Sequence, residues 1–153
     1  MDHRLVAGAG GNGSLYVNDE GTDGWIERAY DLDLPGAFRS VRDLDVVGST
    51  LLVGGTTGLY RSIDRGDTWT RFPVTGPVDN ASFAVAGSRV YAALTNTRHG
   101  TDLYVSDDAG STWRRIPSLP RAYLSELAAN GTTLFAGRFD GLWTLPLSAT
   151  QGH

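Results

Sequence analysis

The sequence predicts an all-β fold made of β-propeller blades, about four of them in one domain spanning residues 1–153. Three tryptophans, Trp25, Trp69 and Trp113, follow one another at intervals of 44 residues, a period that is typical of a four-stranded propeller blade. Short β-rich segments bounded by Gly-Ser or Asn-Gly turns fill these intervals. Helical repeats of similar length are excluded because no stretch shows 3.6-residue periodicity over three turns.

A second aromatic position repeats in step with the tryptophans. Its members each follow a leucine directly, in the pairs Leu15-Tyr16, Leu59-Tyr60, Leu103-Tyr104 and Leu142-Trp143. The first three aromatic residues are again 44 residues apart, and Trp143 comes 39 residues after Tyr104. The fourth pair therefore predicts a fourth blade after the three that the tryptophans mark.

The predicted blades lie in order along the chain, near 4–29, 41–73, 82–116 and 124–147. We letter the strands of a blade A to D from its inner to its outer edge. Blade 1 is expected to contain strands B to D, near 4–8, 14–18 and 25–29. Blades 2 and 3 are expected to contain all four strands, near 41–47, 51–55, 58–62 and 68–73 and near 82–86, 89–94, 102–106 and 112–116. Blade 4 is expected to contain strands A to C, near 124–128, 133–137 and 141–145.

The two end blades lead to a prediction about assembly. Blade 1 is predicted to lack its inner strand and blade 4 its outer strand, whereas a propeller needs a closed ring to avoid exposed blade faces and sheet edges. Two chains would supply seven or eight blades, both of which are familiar ring sizes. We therefore expect a homodimer that closes one ring, since oligomers usually form by symmetric closure. The alternative is that these residues belong to a longer chain.

The turn between strands C and D carries the most specific motif in the sequence. Residues 62–69 and 106–113 both match the pattern Ser-x-Asp-x-Gly-x-Thr-Trp. The pattern resembles the Asp-box, or BNR, repeat of sialidase-like and photosystem-assembly-factor-like propellers, and the resemblance covers nearly the whole chain. Residues 18–25 carry a degraded version with the glycine displaced by one position, and blade 4 has no match.

The residues of the two complete motifs are predicted to be structural. In such a turn the Asp accepts backbone N–H groups, the Gly permits a positive φ, and the Trp covers the turn and buries a large area. The resemblance implies that these turns lie at the periphery of the propeller, away from the ligand-binding face, and no metal is expected there. The residues are Ser62, Asp64, Gly66, Thr68, Trp69, Ser106, Asp108, Gly110, Thr112 and Trp113.

Composition and charge exclude several classes of partner. The chain has a formal net charge of −4, whereas a nucleic-acid-binding protein usually presents a basic face. It has no cysteine, which rules out disulfides and cysteine-bound metals, and its three histidines lack metal-ligand spacing. No apolar run approaches the roughly 18 residues of a membrane helix, and the N-terminal sequence does not resemble a signal peptide. We expect a cytoplasmic protein without a cofactor, a nucleic-acid partner or a membrane partner.

The resemblance implies that ligands bind on the face where the D–A and B–C loops surround the mouth of the central channel. This face is predicted to be rich in arginine, whose guanidinium group suits carboxylate, sulfate and phosphate groups. The predicted ligand-binding residues are Arg39, Arg42, Arg98, Arg121, Tyr123 and Arg138. The alternative interpretation is that these arginines are solvated loop residues paired with nearby aspartates, namely Asp31, Asp33, Asp43 and Asp79.

His99 and Asp140 are the candidates for a catalytic role. His99 lies beside an aspartate in the longest predicted B–C loop, residues 95–101, where it could act as a general base; the alternative is a plain surface histidine. Glycoside hydrolases need two carboxylates across the scissile bond. Pairs such as Asp140 with Asp43 or Glu126 have no spacing that would select them.

The function predicted from the sequence is a non-catalytic ligand-binding or assembly module of the Asp-box propeller type, with a site for a small anion or a carbohydrate at the channel mouth. The alternative is a small enzyme on a propeller scaffold, glycosidase-like or biosynthetic, that uses loop residues around the channel. Propellers host many functions, so the residues at the site must decide between these classes.

Overall fold

The structure is a computed structural model that describes residues 4–8, 14–19, 23–28, 40–73, 78–116, 123–138 and 140–150. Within these ranges the chain forms fourteen β-strands and one short 3-10 helix, Leu147–Thr150. The strands make four antiparallel sheets of three or four strands each, which confirms the predicted all-β, propeller-like fold for this part of the chain. No helix in the described ranges is long and apolar enough to cross a membrane.

Each sheet is a simple meander of strands that are consecutive in the chain. Sheet 1 contains β1 (Arg4–Gly8), β2 (Leu15–Asp19) and β3 (Ile26–Arg28). Sheet 2 contains β4 (Val41–Val47), β5 (Thr50–Gly55), β6 (Gly58–Ser62) and β7 (Thr70–Arg71). Sheet 3 contains β8 (Asn80–Ala86), β9 (Arg89–Asn96), β10 (Gly100–Ser106) and β11 (Arg114–Ile116). Sheet 4 contains β12 (Glu126–Ala129), β13 (Thr133–Arg138) and β14 (Gly141–Pro146).

The strands occur where the 44-residue repeat predicts them, but the outer strands are shorter than predicted. Strand β7 covers only Thr70–Arg71, whereas the sequence predicts a strand over 68–73. Thr68 still belongs to the preceding turn because its backbone N–H donates to Asp64 Oδ1 at 2.8 Å. The outer strand therefore begins only after this turn has closed.

A hydrophobic cluster fills each of the three spaces between neighbouring sheets, and the leucine-aromatic pairs contribute to two spaces at once. Leu59 packs with residues of sheet 3, while Tyr60 packs with Leu15 of sheet 1. Successive side chains of a strand point to opposite faces of a sheet. One leucine-aromatic pair therefore joins its sheet to the neighbours on both sides, which explains why the pair repeats with the blade.

Side chains on the inner strands hold neighbouring sheets in register. Asp43 Oδ2 on β4 accepts the backbone N–H of Phe83 on β8 at 2.6 Å. Ser82 Oγ on β8 accepts the backbone N–H of Leu127 on β12 at 2.8 Å. Asp43 and Ser82 occupy the same position in their sheets, opposite Gly54 and Ala93 respectively. Equivalent positions on the inner strands of sheets 2 and 3 thus each accept a backbone N–H from the inner strand of the following sheet.

The two Ser-x-Asp-x-Gly-x-Thr-Trp turns have the same internal hydrogen bonds. In the first turn the Ser62 hydroxyl donates to Asp64 at 2.7 Å and accepts the N–H of Gly66 at 2.8 Å. The Thr68 hydroxyl donates to the other oxygen of Asp64 at 2.5 Å. The second turn repeats each of these bonds 44 residues later, within 0.1 Å. The carboxylate of each turn is thereby used inside the turn itself.

The carboxylates of these two turns are expected to make the free energy of unfolding depend on pH in acid. Hydrogen bonds from the Thr68 hydroxyl and N–H lower the pKa of Asp64 to about 2. At Asp108, burial acts to raise the pKa, but hydrogen bonds from the Thr112 hydroxyl and N–H outweigh this effect and lower the pKa to about 2 as well. Both values lie below the ordinary 3.8, so the stabilisation is present above pH 3.8 and is lost as the pH falls towards 2. We expect the unfolding free energy, measured with urea between pH 5 and pH 2, to fall less steeply in the double variant Asp64→Asn/Asp108→Asn. Parallel pH profiles for the two proteins would contradict this.

Two arginine side chains bind the turn of the following sheet. Arg4 Nη1 of sheet 1 donates to the backbone carbonyl of Arg65 at 3.2 Å and pairs with Asp67 at 2.7 Å. Arg61 Nε of sheet 2 donates to the backbone carbonyl of Ala109 in sheet 3 at 2.9 Å. The two acceptor residues hold the same place in their turns and both have positive φ, 63° and 54°. Each turn is therefore fastened to the sheet before it.

Candidate functional site

The D–A connections and the B–C hairpins meet at one end of the sheets, which we term the loop face. Asp79, in the connection before β8, accepts the backbone N–H of Thr97 in the β9–β10 hairpin at 2.6 Å. Ser125, in the connection before β12, donates its backbone N–H to Gly137 at the end of β13 at 3.0 Å. These bonds bring together the two kinds of loop that the sequence places around a ligand site.

The connection between β9 and β10 is shorter than the predicted loop over 95–101. Strand β9 runs to Asn96 and β10 begins at Gly100, so the connection is only residues 97–99. The Asn96 side-chain carbonyl accepts the N–H groups of Arg98 and His99, at 2.9 and 3.1 Å. An asparagine that folds back on the chain in this way tightens a turn, which the residue types alone do not show.

His99 lies at this hairpin tip without a carboxylate partner in the described part of the chain. Its side chain is exposed, and the nearby Asp102 instead forms an ion pair with Arg115 across the β10–β11 strand pair. A dyad of His99 with Asp102 is therefore not assembled. The geometry agrees with the alternative interpretation of His99 as a surface histidine.

The predicted arginines of the loop face are spread over different sheets. Arg42, predicted as a ligand-binding residue, lies in strand β4, at an irregularity of register between Val41 and Asp43. A bulge of this kind re-aims the side chain it contains. Arg42 and Arg98 are both exposed and form none of the ion pairs found among the described residues. Arg39 and Arg121 lie outside the described residues, and Tyr123 is exposed just before β12.

Arg138, Asp140 and Trp143 come together on sheet 4, and we term them the tryptophan cluster. Arg138 Nη2 lies 2.9 Å from Asp140 Oδ2, and its guanidinium carbon lies 4.9 Å from the centroid of the Trp143 ring, within the range of a cation–π interaction. Trp143 nevertheless remains 37% exposed. The cluster offers one aromatic surface beside one group of N–H donors and one group of carboxylate acceptors.

The register of β13 and β14 explains this cluster. Trp143 stands opposite Ala136, and Arg138 stands opposite Gly141. Arg138 and Trp143 are therefore diagonal neighbours on one face of the sheet, within reach of long side chains. The sequence predicts different roles for Arg138 and Asp140, but it indicates neither that the two side chains pair nor that Trp143 joins them. The sequence signal for this contact is the short spacing between Arg138, the last residue of β13, and the Leu142-Trp143 pair in β14.

The remaining carboxylates considered for catalysis or arginine pairing already have other partners. Asp43 accepts the backbone N–H groups of Phe83 and Leu44, and burial raises its pKa above the ordinary value in spite of these bonds. Asp79 accepts the N–H and hydroxyl of Thr97, which lower its pKa. Neither aspartate forms an ion pair with an arginine among the described residues, although the charge of Arg98 also contributes to lowering the pKa of Asp79. Asp31 and Asp33 lie outside the described residues.

The carboxylates considered for glycoside hydrolysis each contact another group of the protein. Glu126 accepts a 3.3 Å hydrogen bond from the Ser82 hydroxyl, Asp43 serves the inner-strand junction, and Asp140 is bound to Arg138. Within the described ranges, no cluster of three or more histidine and acidic residues could hold a metal ion.

A cleft of about 720 Å³ lies at the opposite end of the sheets, between sheets 3 and 4. Its wall contains Arg89 and Asp107, whose ion pair has an N–O distance of 2.5 Å. No motif in the sequence predicts this cleft. Its lining also includes the hydroxyl side chains of Ser88, Thr132 and Ser148.

Comparison with known proteins identifies the arrangement of sheets but no family. No protein-family model matches the sequence, and no curated protein matches it. Among solved structures, the computationally designed Ika4 protein superposes with a TM-score of 0.67 at 12% identity, over 95% of this chain and 86% of Ika4.

Two larger enzymes contain a similar arrangement. The GH74 enzyme of Niastella koreensis gives a TM-score of 0.67 at 20% identity over 98% of this chain. The GH74 xyloglucanase of Xanthomonas campestris gives 0.64 at 22% identity over 97%. The chain spans 27% and 28% of the length of these two enzymes. At these identities the likeness shows the fold alone.

Proposed function

We propose that this chain is a non-catalytic carbohydrate-binding module of the Asp-box propeller type, with its site at the tryptophan cluster. The observation that carries the proposal is the exposed ring of Trp143 held beside the Arg138–Asp140 pair. Binding sites for small molecules combine aromatic surface with a few placed polar groups. The ring provides a flat apolar surface, and the ion pair provides donors and acceptors for hydroxyl groups.

The charge balance of the cluster favours a carbohydrate over a small anion. Arg138 is already neutralised by Asp140 at 2.9 Å, so an anion would have to displace a carboxylate to bind there. A sugar hydroxyl both donates and accepts hydrogen bonds and can bind both members of the pair without breaking it. Arg42 and Arg98, which form no ion pair with any described residue, lie on sheets 2 and 3 and do not belong to this cluster.

The structural neighbours support the choice of ligand class. Two of them are GH74 enzymes, one of which is described as a xyloglucanase. Xyloglucan oligosaccharides are therefore the first ligands to test. The proposal of a non-catalytic role rests on the carboxylates of the loop face, because hydrolysis needs two of them across the scissile bond and the candidates have other partners.

Binding should depend on Trp143 and Arg138. We expect xyloglucan oligosaccharides, titrated by calorimetry, to bind Trp143→Ala and Arg138→Ala at least about tenfold more weakly than the unaltered chain, a loss of about 1.4 kcal/mol each. Arg115→Ala is the matched control, because Arg115 forms a similar exposed ion pair with Asp102 on sheet 3. Its affinity should be unchanged. Thermal unfolding of all three variants checks that they remain folded.

Three outcomes would contradict the proposed function. Equal affinity in Trp143→Ala would place the sugar elsewhere. Binding of inorganic sulfate that is lost in Arg42→Ala or Arg98→Ala, with no sugar binding, would favour the anion site. Release of reducing ends from xyloglucan by the purified chain would favour the enzyme.

A further inference from the structure

One face of sheet 4 carries a side chain that is buried at every equivalent position in the other sheets. Leu15, Leu59 and Leu103 are at most 2% exposed, because each packs against the sheet that follows it. Leu142 is the next member of this series and stands opposite Gly137, as Leu103 stands opposite Ala93. It is 65% exposed. The face of sheet 4 directed away from sheet 3 therefore resembles the faces that pack against a following sheet, but no sheet of the described residues covers it.

The far face of sheet 1 shows the complementary pattern. Trp69 is 9% exposed in the cluster between sheets 1 and 2, whereas its repeat equivalent Trp25 is 51% exposed. Leu51, opposite Ser62, is buried in the same cluster. Its equivalent Leu5, opposite Asn18, is 59% exposed. The face of sheet 1 directed away from sheet 2 thus carries a leucine and a tryptophan at the positions that, in sheet 2, pack against the preceding sheet.

These two free faces correspond to the two halves of one existing interface. Between sheets 1 and 2, Leu15 from one side packs in a single cluster with Leu51 and Trp69 from the other. Leu142 corresponds to Leu15, while Leu5 and Trp25 correspond to Leu51 and Trp69. Both free faces are exposed, so they do not cover each other within one chain. The apolar side chains of the two faces are therefore complementary in the same way as those between sheets 1 and 2.

We propose that the free face of sheet 4 docks on the free face of sheet 1 of a second copy of this chain. The contact is head-to-tail, and two chains that each use both faces close a ring of eight sheets. Closure matters because a head-to-tail contact that does not close forms open polymers. Eight blades lie within the usual range of four to eight for propellers. This assembly is independent of the proposed carbohydrate site.

The mass in solution tests the proposal. Light scattering on a sizing column should give twice the chain mass of 16.4 kDa, and Leu142→Asp and Leu5→Asp should each give the single mass. Ile63→Asp is the matched control, because Ile63 is 66% exposed but lies in the turn after β6, on neither free face. It should remain a dimer. Circular dichroism confirms that each variant is folded.

Mixing the two monomeric variants tests the head-to-tail geometry. In a mixed ring, Leu142 of one chain meets Leu5 of the other at an unaltered interface, while both aspartates lie together at the second interface. The mixture should therefore regain dimers that neither variant forms alone. A monomeric unaltered chain would overturn the proposal and favour a different polypeptide, or a further sheet of this one, as the occupant. A dimer that survives Leu5→Asp, a mixture that stays monomeric, or open polymers would overturn it as well.

Discussion

Replacing Trp69 by alanine is expected to destabilise the fold by roughly 3–5 kcal/mol, as for other buried tryptophans. The side chain is almost entirely buried in the cluster between sheets 1 and 2, where it packs with Leu15 and Tyr60. Its removal leaves a large cavity between two sheets that are held apart by their other contacts. Urea unfolding followed by circular dichroism measures the loss.

A neighbouring position in the same turn provides the control. Ile63 projects into solvent, so Ile63→Ala should change the free energy of unfolding by no more than about 0.5 kcal/mol. A loss below about 1 kcal/mol for Trp69→Ala would show that the tryptophan does not hold the two sheets together.

Gly110→Ala is expected to produce the second large effect, roughly 2–4 kcal/mol from backbone strain and overpacking together. Gly110 has a φ of 79°, and an added Cβ would lie 2.8 Å from Leu52 Cδ2 and 3.3 Å from Trp113 Cζ2. Either the buried Leu52 side chain or the turn of sheet 3 would therefore have to shift. Differential scanning calorimetry or urea unfolding detects the change.

Gly87→Ala separates the two causes. Gly87 has a similar φ of 68°, but nothing lies within 4 Å of its added Cβ. It should therefore cost only the strain of the left-handed conformation, about 1–2 kcal/mol. Equal losses in the two variants would mean that the turn at Gly110 does not pack tightly on sheet 2.

The sequence was a sufficient guide to the sheets because the repeat reflects their packing. A leucine-aromatic pair must face both neighbouring sheets, so it recurs once per sheet at a fixed spacing. Short β-rich segments between tight turns then fix the order of the strands. The outer strands were less accurate, since Thr68 and its equivalent are retained by turn hydrogen bonds that no hydrophobic pattern records.

The candidate site was predicted only in part, because its geometry depends on register. Arg138 and Asp140 were identified as loop-face residues, but their contact with each other and with Trp143 requires the alignment of β13 and β14. Asp43 was assigned to arginine pairing because a carboxylate near arginines suggests it. Its real partner is a backbone N–H of another sheet, and backbone donors carry no signature in the residue types.

The arginine contacts between sheets have a consequence for how the sequence of such a chain can change. Arg4 and Arg61 reach the turns from different strands, yet both donate to a carbonyl at the same place, once at an arginine and once at an alanine. Because the acceptor is a main-chain atom, the side chain beside it is free to vary. Because the donor is long, it can be supplied from more than one strand. With respect to this main-chain contact, neighbouring units can therefore diverge one at a time, whereas the pairing of Arg4 with Asp67 depends on both side chains.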